Sequence, residues 1–192
     1  LKELEYEERR EVVRVLVRFT EMLRPELPGI AASGDYLTTM DLIRAKARFA
    51  LDNDCTMPIV EEGSSILLKN ARHTLLAQTL RKEGKSVVPL DLVLTPQKHI
   101  LVISGPNAGG KSVCLKTVGL LQYMMQCGLL VSASENSEMG IFRSIFIDIG
   151  DEQSIDNDLS TYSSHLLNMK NILRGATGRS LVLIDEFGTG TE

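Results

Sequence analysis

The chain has 192 residues, 43% of them hydrophobic and 24% charged, with a formal net charge of -4. This composition fits a globular chain of one domain, or one domain with part of another. It excludes a membrane span, because no apolar run approaches the roughly 18 residues needed, and it offers no basic stripe to neutralise a nucleic-acid backbone, so these residues alone are expected to bind nucleic acid weakly if at all. The first residues carry no signal-peptide pattern. The three cysteines, Cys55, Cys114 and Cys127, form neither a CxxC pair nor a metal-ligand cluster. That sparse usage fits a reducing cytoplasm.

In chain order, residues 1–24 predict a helix, with Val12, Leu16, Phe19 and Leu23 at helical spacing. Pro25, Pro28 and Gly29 are expected to stop it. A second helix is expected from about Asp35, its N-cap, to Leu51, packed antiparallel on the first. From Asp52–Pro58 onward β-type runs dominate: 65–68, 86–94 and 99–104, separated by the turn signals Glu61-Glu62-Gly63 and Glu83-Gly84-Lys85. Residues 111–127 predict a helix apolar nearly all round, hence buried under a sheet, with Gly128 as its stop. Strands are expected at 129–133, 141–149 and 180–185, with a helix at about 161–173.

The most informative run is Gly105-Pro106-Asn107-Ala108-Gly109-Gly110-Lys111-Ser112, which fits the phosphate-loop pattern G-x-x-x-x-G-K-[ST]. It follows the apolar Ile100-Leu101-Val102-Ile103 and opens a helix, which is the setting the motif needs. Glycines let the backbone approach phosphate oxygens, and the helix N-terminus, with Val113 in its first turn, turns N–H groups toward them. Lys111 is expected to reach the β- and γ-phosphates of ATP and the Ser112 hydroxyl to ligate Mg2+. The run Leu181-Val182-Leu183-Ile184-Asp185-Glu186 reads as a buried strand whose end meets the ligand crevice. There Asp185 is expected to hold Mg2+ and Glu186 to orient and deprotonate the attacking water.

Other runs are less specific. Ser160 and Thr161, in Asp158-Leu159-Ser160-Thr161-Tyr162-Ser163-Ser164-His165, read either as a plain helix cap or as an anion site for a partner subunit's γ-phosphate. Asp151 and Gln153 read either as contacts to the metal and water or as a solvated acidic turn. His73 and His99 read as ordinary polar residues. His165 lies near the cap and reads equally as a helix-surface residue.

The phosphate loop with its Pro106-Asn107 insert, and Asp185-Glu186-Phe187-Gly188-Thr189-Gly190-Thr191, resemble the ATPase domain of MutS proteins. Arg72-His73 resembles the Arg-His-Pro segment at the start of that domain, with Thr74 in place of the usual Pro. Residues 148–155 and 159–165 look like the bacterial MutS-two branch, and the resemblance covers about residues 35–192. The resemblance implies an α/β fold: a P-loop NTPase of ABC type with a mixed, mainly parallel sheet, flanking helices and an antiparallel β part, C-terminally truncated. Residues 1–55 would be the helical end of a core and lever region, and 56–192 the incomplete ATPase domain. It also implies a homodimer through the ATPase domains, closed by ATP lying between one subunit's phosphate loop and Ser160 and Thr161 of the other, with Gly188 to Thr191 crossing the interface. Val87 and Val88 would form an aliphatic wall for the adenine. The family is linked to mismatch repair, to branched DNA and restraint of recombination, and to stalled ribosomes. DNA contact and any C-terminal nuclease module would lie outside these residues, and a strand with a γ-phosphate-sensing His would follow Glu192.

Three functional readings come from this pattern. The first is an ATPase, converting ATP and water to ADP and phosphate. The second is a module that binds nucleotide and dimerises, hydrolysing little on its own. The third, an ABC ATPase of a transporter or chromosome-organising kind, is disfavoured because Leu159-Ser160 is followed by Thr161-Tyr162 and not by two glycines.

Overall fold

A computed structural model of the chain describes residues 2–106, 109–149 and 158–185, with side chains in the last stretch from residue 165 onward. The chain divides into two compact units, Leu1–Ala47 and Arg48–Glu192.

In the first unit, helix α1 (Lys2–Leu23) runs into a 3-10 turn at Arg24–Glu26 and then helix α2 (Leu27–Asp52), which continues past the unit's end. Leu23 and Leu27, on either side of the turn, keep right-handed helical backbone angles. Pro28 and Gly29, expected to end a helix, instead open one. Proline's missing N–H costs nothing in a first turn, where that donor has no partner within the helix. All residues from 2 to 45 are exposed. The expected antiparallel packing of the two helices is therefore not found, since it would bury the facing stripes. Val12, Leu16 and Phe19 keep their helical spacing but meet water.

The second unit holds strands β1 (Ile59–Glu61) and β2 (Ile66–Ala71), helix α3 (Thr74–Lys82), strand β3 (Leu90–Leu94), helix α4 (Lys111–Gln126), strands β4 (Glu138–Gly140) and β5 (Ser144–Asp148), helix α5 (Asp158–Gly175) and strand β6 (Ser180–Ile184). They form a four-stranded sheet in the order β1-β4-β2-β3 and a two-stranded sheet of β5 and β6. In the first, β1 is parallel to β4 while β2 is antiparallel to both β3 and β4. Strands β5 and β6 are parallel, with Asp148 opposite Ile184. One apolar cluster joins the sheets: Ile66, Leu68 and Met139 meet Val118, Leu121 and Met124 of α4, with Leu181 and Leu183 of β6.

Helix α4 is central because its sequence is apolar on most faces, and a helix of that kind is stable only when covered. It lies close to β6 at Gly119, where an added Cβ would be 2.8 Å from Leu183 Cδ1. Three residues on, the fully buried Gln122 donates from Nε2 to the Gly140 carbonyl at 2.8 Å. Gly128, with φ of 71°, ends the helix as expected, in a conformation that costs a glycine little.

The expected fold class is corrected here. The described residues make two mixed or two-stranded sheets after a helical start, not one mainly parallel sheet, and a full P-loop NTPase fold is not shown. The decisive segment is 99–104, expected as the strand leading into the phosphate loop, which forms no strand. Its apolar residues are not covered, Ile100 being 77% and Val102 83% exposed. An apolar run says which side chains gain from burial, but a strand needs a neighbour's N–H and C=O groups to pair with. Likewise, of the expected strand 129–133 only a bridge between Val131 and Thr56 forms.

Candidate nucleotide-binding site

The loop before α4 is shaped by two glycines. Gly105 has φ of 149° and Gly110 φ of 81°, both in the region that favours glycine. Gly110 stands at the N-cap of α4 and makes no side-chain cap. The loop is braced by the Gly109 N–H donating to the Pro106 carbonyl at 2.9 Å. Among the described residues, a Cβ on Gly109 would meet the Pro106 ring alone, at 3.6 Å, an ordinary contact distance. Lys111, the first residue of α4, donates from Nζ to the Gly105 carbonyl at 2.6 Å. The ammonium is thus drawn back across the mouth of its own loop. Ser112 is half-buried and Val113 exposed, both in the first turn. That turn presents the positive end of the helix dipole, the natural partner of an anion.

Asp185 follows β6 directly and is 8% exposed. Its N–H donates to the Asp148 carbonyl at 2.9 Å, extending the β5–β6 ladder by one step. Lys111 and Asp185 line one cavity of about 810 Å³, together with Ile100, Leu101, Cys114, Leu115, Val118 and Leu183. Burial pushes the Cys114 thiol up, away from thiolate, so it acts as an apolar wall. The cavity therefore has an apolar body with a cation and an acid among its lining, the usual character of a ligand site. Among the described residues no group of three or more His, Cys, Asp or Glu side chains is placed to hold a metal. A Ser hydroxyl and a single carboxylate suit magnesium, which takes few protein ligands besides phosphate oxygens.

Several expected site residues lie outside the described residues: Asn107, Ala108, Asp151, Gln153, Glu186 and Gly188 to Thr191. Ser160 and Thr161 are in the first turn of α5, and their side chains are likewise outside the described set. Val88 is exposed and Val87 half-buried, and neither lines the cavity. His73 caps α3, its Nδ1 accepting from the Leu76 N–H at 3.2 Å. Partial burial, helped by the nearby Lys116 charge, holds its pKa below the ordinary histidine value.

The sequence reading gave no role to Asp148. It is 4% exposed, and both carboxylate oxygens are taken by α5: Oδ2 by His165 Nδ1 at 2.8 Å and Oδ1 by Asn168 Nδ2 at 2.9 Å. The available signal was an acid closing an apolar run, Ile145-Phe146-Ile147-Asp148, just as Asp185 closes its own.

The sequence around this cavity is that of a MutS-family domain. Residues 101–192 match the family model for MutS domain V, the ATPase domain of that family. The whole chain aligns with proteins named Endonuclease MutS2: 46% identical over 192 residues in Carboxydothermus hydrogenoformans, 45% in Finegoldia magna and 42% in Ruminiclostridium cellulolyticum. Each match takes in 100% of this chain and 24% of the relative, so the chain spans about a quarter of those proteins' length. The chain belongs to the MutS family, and within it is similar to the MutS2 branch. No helix among the described residues is long and apolar enough to cross a membrane.

Proposed function

We propose that the second unit binds and hydrolyses ATP, and that the nucleotide drives closure of a homodimer in a MutS-type protein acting on DNA. The observation that carries this is the shared cavity: Lys111, at a helix start opened by a left-handed Gly110, and the buried Asp185 line one site. The triphosphate would lie on the backbone of residues 105–113, where the N–H groups of the first turn of α4 and the Lys111 ammonium meet its charge. To do so Lys111 exchanges the neutral Gly105 carbonyl for anionic phosphate oxygens, a stronger pairing of opposite charges. Ser112 and Asp185 are the residues that would hold Mg2+, which when bound neutralises charge on the phosphate oxygens. Glu186, next along from Asp185, would take a proton from the attacking water. Ser160 and Thr161, at the start of α5, would meet the γ-phosphate on the partner subunit. Branched or mismatched DNA, and any ribosome contact, are assigned to the rest of a protein of the relatives' length, since this chain's net charge of -4 suits neither.

Two substitutions test the reading. Lys111→Ala is expected to weaken ATP binding about 10- to 100-fold, the worth of one or two charge-assisted bonds. Glu186→Gln is expected to leave binding intact and cut turnover about a hundredfold or more. Unchanged turnover in Glu186→Gln would remove Glu186 from the chemistry.

A further inference from the structure

The Asp148 cluster is more than a way to fill space. Its carboxylate is buried, and a buried acid is costly unless every lone pair that matters is met. Here both oxygens are met by one helix, through residues three apart on one face of α5. A carboxylate accepts only, so His165 Nδ1 carries the proton and donates. Meanwhile the Asp148 main-chain carbonyl accepts from the Asp185 N–H. One residue thus holds, through its side chain, the helix that begins with the Ser160-Thr161 turn and, through its backbone, the acid at the end of β6. Thr161 precedes His165 by four residues, about one helical turn. Apolar packing resists separation of two surfaces but leaves sliding and rotation comparatively cheap. Two directional bonds from consecutive turns remove both freedoms.

We infer that Asp148, His165 and Asn168 are positioning residues that lock the start of α5 in register with Asp185, so that ATP turnover depends on them while ATP binding does not. This rests on the nucleotide reading above. Helix α4, which follows the phosphate loop, is held by other means, through the apolar cluster around Val118, Leu121 and Met124. Loosening α5 should therefore leave the affinity for ATP in place and misalign only what α5 brings to the phosphates.

The test uses the protein as its gene encodes it, with kcat and KM for ATP, melting temperature and hydrogen exchange along α5. His165→Ala is expected to lower kcat about 10- to 100-fold, the usual cost of losing a group that orients another, with KM within about threefold and faster amide exchange in α5. His165→Asn is expected to return kcat to within about fivefold of the parent, because its amide Nδ2–H sits where Nδ1–H did. Should His165→Ala fail to fold, Asn168→Ala, which removes one of the two bonds, is expected to lower kcat less and again spare KM. Parent-like kcat and exchange in the Ala variants would overturn the inference. So would an Asn variant as impaired as Ala, since the ring itself would then be acting. Failure of the nucleotide reading looks different: Lys111→Ala would bind and turn over ATP like the parent.

Discussion

Helices α4 and α5 both begin with residues proposed to meet phosphate, yet the described residues hold them by different means. Helix α4 buries Val118, Leu121, Met124 and Met125 in the main apolar cluster. On α5, Leu166, Leu167 and Leu173 are exposed, and among the described residues its side-chain hydrogen bonds to β5 run to a buried acid. On the proposed function, the difference separates two jobs. A loop that must hold a highly charged ligand gains from a platform that hardly yields, which close packing provides. A helix that must bring a group to a stated place gains from directional bonds, which are worth less in total but fix orientation.

The largest stability effect should come from breaking α4's side of this contrast. Leu121→Ala, at a fully buried site, is expected to cost about 2–5 kcal/mol in chemical denaturation. Leu167→Ala, on exposed α5, should stay within about 0.5 kcal/mol. Equal losses at the two positions would erase the contrast. A smaller effect is expected at Gly119, where a Cβ meets Leu183 Cδ1 at 2.8 Å. Gly119→Ala should cost about 1–3 kcal/mol by overpacking and weaken ATP binding by moving α4 off β6. A variant as stable as the parent would show that Leu183 yields freely.

The smallest effect concerns a third helix end, that of α3, which like α5 leans on a polar side chain. His73 is neutral in the fold, with Nδ1 accepting from Leu76, and its pKa is depressed by burial. A folded pKa below the unfolded one means that the unfolded chain takes up the proton first as pH falls. The cap's contribution is then present above about pH 6.5 and is lost as pH drops through the folded pKa. His73→Asn, a good N-cap that does not titrate, should keep the melting temperature at pH 7.5 and flatten its fall toward pH 5. An unchanged slope would acquit His73.

What could be read from the sequence divides along the same line. Burial of α4 was legible because Val118, Leu121, Met124 and Met125 recur around a helix bounded by glycine. The end of β6 was legible because Leu181 to Ile184 run apolar into Asp185. Strands β1 and β4 were not, because three residues such as Glu138-Met139-Gly140 become a strand only through the neighbours they pair with. Helix α3 was missed because histidine is an unusual cap. Residues 99–104 erred the other way: their apolar character was plain, but no pairing partner could be read from it. The Asp148 tether joins residues 17 and 20 apart along the chain. Local pattern gave Asp148, His165 and Asn168 no common role until β5 and α5 were placed together.

The central claim is that nucleotide phosphates sit on the turn headed by Lys111, facing Asp185. A crystal structure with Mg2+ and a non-hydrolysable ATP analogue tests it most directly. The account predicts phosphate oxygens against the backbone of residues 105–113, Lys111 released from the Gly105 carbonyl, and Ser112 and Asp185 on the metal's side. A nucleotide bound elsewhere with Lys111 still on that carbonyl, or Asp185 turned from the metal, would contradict it.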